Sequence, residues 1–386
     1  MNMSELATVA RAAELNAQKE AHVQELRRES GRPVIGYLCC FAPPEMIRVA
    51  GAIPYRITGR PGEPTSEADA YMEPYGCSYV RNIFAQALKG RLDFLDGLVI
   101  SHSCDMVQRL YGIWTYYRPL PYSRLFNVPH QVTPQAERFF MRELLFFKES
   151  LEQFTGQEIT KERLAEEIAL SNRIRARIRE LYRLRLEHPP LIRGSEMLEL
   201  LLAGGWLPPE EFLKLLEDAL EEIGKKRAAQ GPQRPRVLVW GSLLDDVAFY
   251  RMIEEAGADV VADDNCIGFR VFEKDIPLSE DLVEALKDHY FINFQCPRTD
   301  RGPGRARFDY IIQRAQEYNV DGVIGYIISF CDPHKFDYPD LRDYLRESGF
   351  PMLLIDDNYS FAPAGAIQTR LQAFVELLKS GRALSS

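Results

Sequence analysis

Short, fully apolar runs alternate with stretches of helical period in two parts of this 386-residue chain. Val34, Ile35, Tyr37 and Leu38, bounded by Pro33, predict a buried strand. "PPEMIRVAGA" then predicts a helix, with proline in its first turn and Gly51 as its stop. "IPYRIT", "LDGLVIS" and "YSRLFNV" predict three more strands, with the helix "CSYVRNIFAQALKG" among them. The same rhythm returns after residue 233. "VLVWG", "ADVVADD", "VDGVIGYIISF" and "PMLLID" predict strands, each followed by a helical or irregular stretch. Between these parts, from about Thr133 to Arg227, the pattern has only the helical period. The first ~30 residues predict one amphipathic helix, with Leu6, Val9, Ala13 and Leu15 on its apolar stripe. The fold class is therefore α/β, with two parallel-sheet lobes, an N-terminal helix and a helical middle segment. The expected boundaries are 1–32 for the N-terminal helix, 33–132 for the first lobe, 133–232 for the helical segment and linker, and 233–386 for the second lobe. The polar stretch "AAQGPQRPR" marks the linker.

Composition narrows the function classes. A net charge of −9 argues against nucleic acid as the main partner. The arginines of "RARIRELYRLRLEHPPLIR" alternate with glutamates and leucines and read as a solvated helix face. No segment approaches the ~20 apolar residues of a membrane span, and the acid-rich N-terminus lacks a signal-peptide core. A cytoplasmic location is the expectation.

There are seven cysteines and no C-x-x-C. That excludes a zinc ribbon or a thioredoxin-like motif, and the ferredoxin run is absent too. One pattern stands out. "DGLVISHSCD" and "DGVIGYIISFCD" both lead from Asp-Gly through an apolar run to Cys-Asp. Ligands of parallel α/β sheets gather at the carboxyl ends of strands, so Cys104 and Cys331 fall where a site belongs. Cys77 opens a predicted helix, whose dipole favours thiolate. Three thiolates from two lobes would suit an iron–sulfur cluster with one iron left open. Core packing is the alternative for each cysteine. His102 and His334 flank the two Cys-Asp sites as proton donors or as structural histidines. Asp105 and Asp332 are expected to cap the helices that follow. The chain has no phosphate loop, no G-x-G-x-x-G, no G-x-S-x-G and no H-E-x-x-H.

Taken together, "VIGYLCCFAPPEMIRVAGAIPYRI", "CSYVRNIFAQALKGRLDFLDGLVISHSCDMVQRLY", "DDNCIGFR", "DGVIGYIISFCDPHKFDYPDL" and "TRLQAFVE" resemble the 2-hydroxyacyl-CoA dehydratase / benzoyl-CoA reductase family. The resemblance spans most of the chain and is weakest in the helical middle. "FCDPHKFDYPDL" is similar to benzoyl-CoA reductase iron–sulfur subunits and to double-cubane cluster proteins.

The resemblance implies two flavodoxin-like lobes and a dimer with a homologous or identical subunit. It also implies a [4Fe–4S] cluster held by Cys77, Cys104 and Cys331. Electrons would come from a separate ATP-hydrolysing iron–sulfur activator, which agrees with the missing phosphate loop, and the substrate would be an acyl-CoA. Four cysteines are then left over. A double-cubane [8Fe–9S] cluster needs six thiolates, which would add Cys40, Cys266 and Cys296. The resemblance makes a cysteine at Cys39 or Cys266 routine with one cubane, and leaves open whether Cys39 or Cys40 is a ligand. "YFINF" is expected to place Cys296 near another strand end. Arg109, Arg270 and Arg370 are candidate cations for coenzyme A phosphates, or, for the latter two, salt bridges between lobes. Electron storage or small-molecule reduction is an alternative function. A two-lobed module that binds a small ligand without metal is another.

Overall fold

In the computed structural model, residues 6–225, 232–299, 305–361 and 364–385 are described. Two four-stranded parallel sheets form the two lobes. The first contains β1 (Val34–Leu38), β2 (Ile53–Arg56), β3 (Gly97–Ser101) and β4 (Tyr122–Phe126), in the order β2-β1-β3-β4. The second contains β5 (Arg236–Gly241), β6 (Asp259–Asp264), β7 (Gly322–Ile328) and β8 (Met352–Asp357), in the order β6-β5-β7-β8. The two orders are the same, so both lobes have the doubly wound arrangement the alternating pattern predicts. The central strands β1, β3, β5 and β7 are buried along their whole length, whereas edge strands β4 and β8 are only partly so. Unbroken apolar runs belong to strands covered by helices on both faces.

The repeated Asp-Gly has a structural cause. Asp96 Oδ2 accepts the Val34 amide at 2.9 Å, and Asp321 Oδ2 accepts the Arg236 amide at 2.6 Å. In each lobe, the aspartate before one central strand closes the first free N–H of the other.

Helices Pro134–Thr155, Lys161–Arg183, Gly194–Ala203 and Pro209–Lys225 fill the middle segment. Thr133 and Thr160 cap the first two, and Gly156, at φ 70°, ends the first. Buried ion pairs tie this segment to both lobes. Arg175 reaches Glu45 at 2.8 Å, and Arg185 reaches Asp263 at 3.2 Å. The proposed linker lies partly outside the described residues.

Two expectations fail here. The N-terminal segment is two helices, Ala7–Ala17 and Lys19–Ser30, broken at Gln18. The first packs on the middle segment, where Asn16 bonds Glu199 and accepts from Trp206. The second turns to the first lobe, where Arg27 pairs with Asp96. One straight helix could not serve both partners. "YFINF" forms no strand: Asp288–Ile292 is a single wide π turn. Its aromatic residues enter the core sideways, Phe291 stacking on Phe140 at 5.0 Å. A short apolar run fits a strand or a buried helix equally well, and no periodicity separates them.

Candidate functional site

All seven cysteines are free, and each approaches the space between the carboxyl ends of the two sheets. Cys39 and Cys40 follow β1, Cys104 follows β3, Cys266 follows β6 and Cys331 follows β7. In this strand order the chain winds in opposite directions from β1 and β3, and likewise from β5 and β7. The crevice at such a switch point is where doubly wound sheets receive ligands.

Cys77, Cys104 and Cys331 share one local geometry. Each is the N-cap residue of a helix: Ser78–Leu88, Asp105–Tyr117 and Asp332–Glu347 respectively. No closed cap hydrogen bond forms on the sulfurs. The amides just inside each helix nevertheless act on them: those of Tyr79 and Val80 on Cys77, Met106 and Val107 on Cys104, and His334 on Cys331. Three helix N-termini thus direct partial positive charge at one place. Burial outweighs this attraction, lifting the Cys77 thiol to about 11, Cys104 to about 12 and Cys331 well above its ordinary value. The three also raise one another: the charge of Cys77 acts on Cys104, and both act on Cys331. Ser242, just past β5, bonds the Cys331 sulfur. Gly241 lets β5 approach that closely, because a Cβ there would sit 1.9 Å from the Tyr326 carbonyl.

A second group lies alongside. Burial raises Cys296 to about 11 and also raises Cys266. For Cys40, the bond with Cys39 comes first and burial second, and both raise it. The charges of Cys266 and Cys296 act on Cys40 as well. Cys39 lies between the groups, 3.8 Å from Cys40, and its charge reaches Cys104, Cys266 and Cys296. Its bond with Cys40 lowers it to about 6. Its backbone is left-handed, at φ 71°, which re-aims the chain as it leaves β1.

Three arginines surround the second group. Arg56 donates to the Cys266 carbonyl at 2.6 Å. Arg270 donates to the Cys266 sulfur at 3.3 Å and pairs with Asp264 at 3.2 Å. Arg298 crosses from the second lobe to the first, donating to the carbonyls of His102, Ser103, Val128 and Pro129. Sequence reasoning missed Arg56 and Arg298. The signal for Arg56 was present, as a lone charge ending an otherwise uncharged strand.

Other expectations change. Asp105 and Asp332 do not cap their helices, because the cysteines hold the N-cap positions; Asp105 is exposed and pairs with Arg109 at 2.6 Å. Arg270 is fully buried against Asp264 of its own lobe, so it neither bridges lobes nor presents a free cation. Arg370 is exposed and donates to the Leu354 carbonyl, also within its lobe. His334 lies 3.3 Å from the Cys331 sulfur, and burial keeps it neutral. His102 packs edge-on against His130. Cys296 reaches the site from a turn, not a strand end.

Among the described residues, no three His, Cys, Asp or Glu side chains converge closely enough to hold a single metal ion. An iron–sulfur cube is wider than one ion, and its thiolates stand further apart. The donor set suits such a group: soft sulfurs, buried or half-buried, faced by helix amides and arginines.

Residues 39–378 match the family described as 2-hydroxyglutaryl-CoA dehydratase, D-component. One of the subunits of benzoyl-CoA reductase from Thauera aromatica is 29% identical, with 84% of this chain and 85% of the relative aligned. Lactoyl-CoA dehydratase subunit beta of Anaerotignum propionicum is 26% identical over 96% of this chain and 99% of the relative. The beta subunit of (R)-2-hydroxyglutaryl-CoA dehydratase from Acidaminococcus fermentans is 26% identical over 91% and 94%.

Proposed function

Because the chain belongs to the 2-hydroxyglutaryl-CoA dehydratase D-component family, we propose that it is the iron–sulfur subunit of a low-potential acyl-CoA reductase or dehydratase. It works in the cytoplasm beside a homologous or identical subunit and takes electrons from a separate ATP-hydrolysing iron–sulfur activator. The observation that carries this reading is the meeting of three N-cap cysteines from two lobes. Cys77, Cys104 and Cys331 would hold a [4Fe–4S] cluster. Such a cluster supplies one-electron chemistry and, with three protein ligands, an iron open to exchange. The chain's own residues do the rest. Helix amides and Ser242 face the sulfurs, burial keeps water from them, and Arg298 locks the loop carrying His102 and Ser103 across the lobe boundary.

The second cysteine group favours a second reading. Cys40, Cys266 and Cys296 lie close enough to act on one another, beside the first set. Six thiolates in two adjoining groups would hold a double-cubane [8Fe–9S] cluster, suited to electron storage or small-molecule reduction.

Iron and acid-labile sulfide, measured on protein purified without oxygen, test both readings. About eight irons per chain, reduced in both Cys77→Ala and Cys296→Ala, is the double-cubane result. About four, lost in Cys77→Ala and kept in Cys296→Ala, is the single-cluster result. No iron after reconstitution overturns both and leaves a metal-free binding module.

A further inference from the structure

A cavity of about 420 Å³ opens beside Cys40 of the second cysteine group, and neither Cys77 nor Cys104 lines it. Residues of both lobes, the N-terminal helices and the middle segment enclose it. Its walls are more apolar than polar, with Leu201, Trp206 and Phe272 among them, and several charged side chains also line it. Tyr37 and Arg56 stand as register partners on adjacent strands β1 and β2, with Cys40 beside them.

Most charges lining the cavity are already satisfied. Glu45 is held by Arg175 and Tyr290, and Arg48 by Glu167 and Ser171. Asp245 accepts from the Gly59 amide and the Tyr359 hydroxyl. Glu199 faces Arg251, and Lys19 donates to Thr58. Arg56 differs. Its side chain makes one hydrogen bond among the described residues, to the Cys266 carbonyl, and no carboxylate there pairs with it. The Tyr37 hydroxyl has no hydrogen-bond partner among the described residues. A guanidinium and a phenol O–H thus stand side by side on the cavity wall with no carboxylate paired to them among the described residues.

We propose that this cavity binds a carboxylate, with Arg56 and Tyr37 as its donors and the organic remainder of the ligand in the apolar part. Planar guanidinium suits planar carboxylate, and a buried donor left unmade is costly. The volume lies in the lower part of the range for small-molecule sites and accommodates an acid the size of benzoate. The carboxylate belongs either to a free small acid or to an acyl chain that reaches in from a thioester. Neither donor is a proposed iron ligand, although Cys40 lines the cavity and Arg56 bonds the Cys266 carbonyl.

The test is calorimetric titration of the purified chain with benzoate and with the neutral isostere benzamide. A second arm compares succinyl-CoA with butyryl-CoA. Iron content is recorded for every sample, so loss of cluster and loss of binding are read separately. The expected result is saturable binding in at least one arm that requires the carboxylate, at least about tenfold tighter than its neutral counterpart. Arg56→Gln weakens it about tenfold or more, Arg56→Lys less, and Tyr37→Phe about threefold. Tyr37→Phe removes only an unpartnered hydroxyl, so it remains informative if Arg56→Gln fails to fold. Binding in the first arm alone assigns a free acid, and binding in the second alone assigns an acyl chain. Equal binding of acid and neutral isostere, no binding in either arm, or full affinity in Tyr37→Phe together with any folded Arg56 variant would overturn the proposal.

Discussion

Single residues at the crevice hold positions that few side chains tolerate. Gly241 has φ 155° and lies against the Tyr326 carbonyl. Gly241→Ala is therefore expected to cost about 3 kcal/mol or more, because backbone stands in the way and not a movable side chain. Urea unfolding of the variant beside the parent chain measures it. His289 gives a pH signature. Burial lowers its pKa to about 3, helped by Arg175 and Lys274 and opposed by Glu45. Its ordinary value is 6.5, so between the two values the unfolded chain binds the extra proton. Its contribution is fully present above about pH 6.5 and is lost as pH falls towards 3, at about 1.4 kcal/mol per pH unit. Denaturant titrations at pH 7 and 5 should show this loss in the parent and a smaller one in His289→Phe.

At the scale of elements, three helices start on a cysteine where serine, threonine or aspartate usually serves. This separates folding from ligand binding. Cys104→Ser supplies a better cap, so metal-free protein should keep its stability or gain up to about 1 kcal/mol. The same variant should lose iron. Thermal unfolding of the metal-free form and iron analysis of the reconstituted form check the two halves. A cysteine that served only as cap or packing would leave the iron content unchanged. The motif that made these cysteines visible also divides at this scale. Its Asp-Gly end closes strand N–H groups at one edge of each sheet, while its Cys end reaches the crevice at the other.

Across the whole molecule, buried ionic contacts join parts distant in sequence. Arg175, Glu45 and Tyr290 connect the middle helices, the first lobe and the π turn. Arg175→Met leaves Glu45 buried without its ion-pair partner, with Arg48 acting only from further off, and should cost about 3–5 kcal/mol. Adding Glu45→Gln should recover much of that loss, since a buried pair is worth less than the penalty for breaking it. Equilibrium unfolding of the single and double variants decides it.

Period and punctuation in the sequence were enough for two parallel-sheet lobes and a helical middle, because strands buried on both faces cannot avoid continuous apolar runs. They were also enough for Cys104 and Cys331, since a residue just past a parallel strand lies at the ligand-binding edge whatever else the chain does. The break at Gln18 and the π turn before Cys296 were not legible, because both depend on which surfaces those segments meet. Nor were Arg56, Tyr37 and Arg298, whose roles come from register partners and carbonyls far away in the chain. The sequence by itself determined which residues end strands and open helices, as local sterics and burial fix those within a few neighbours. Only the tertiary structure decided that seven cysteines meet in two adjoining groups with an unpaired arginine beside them, because that proximity is set by how the two lobes pack.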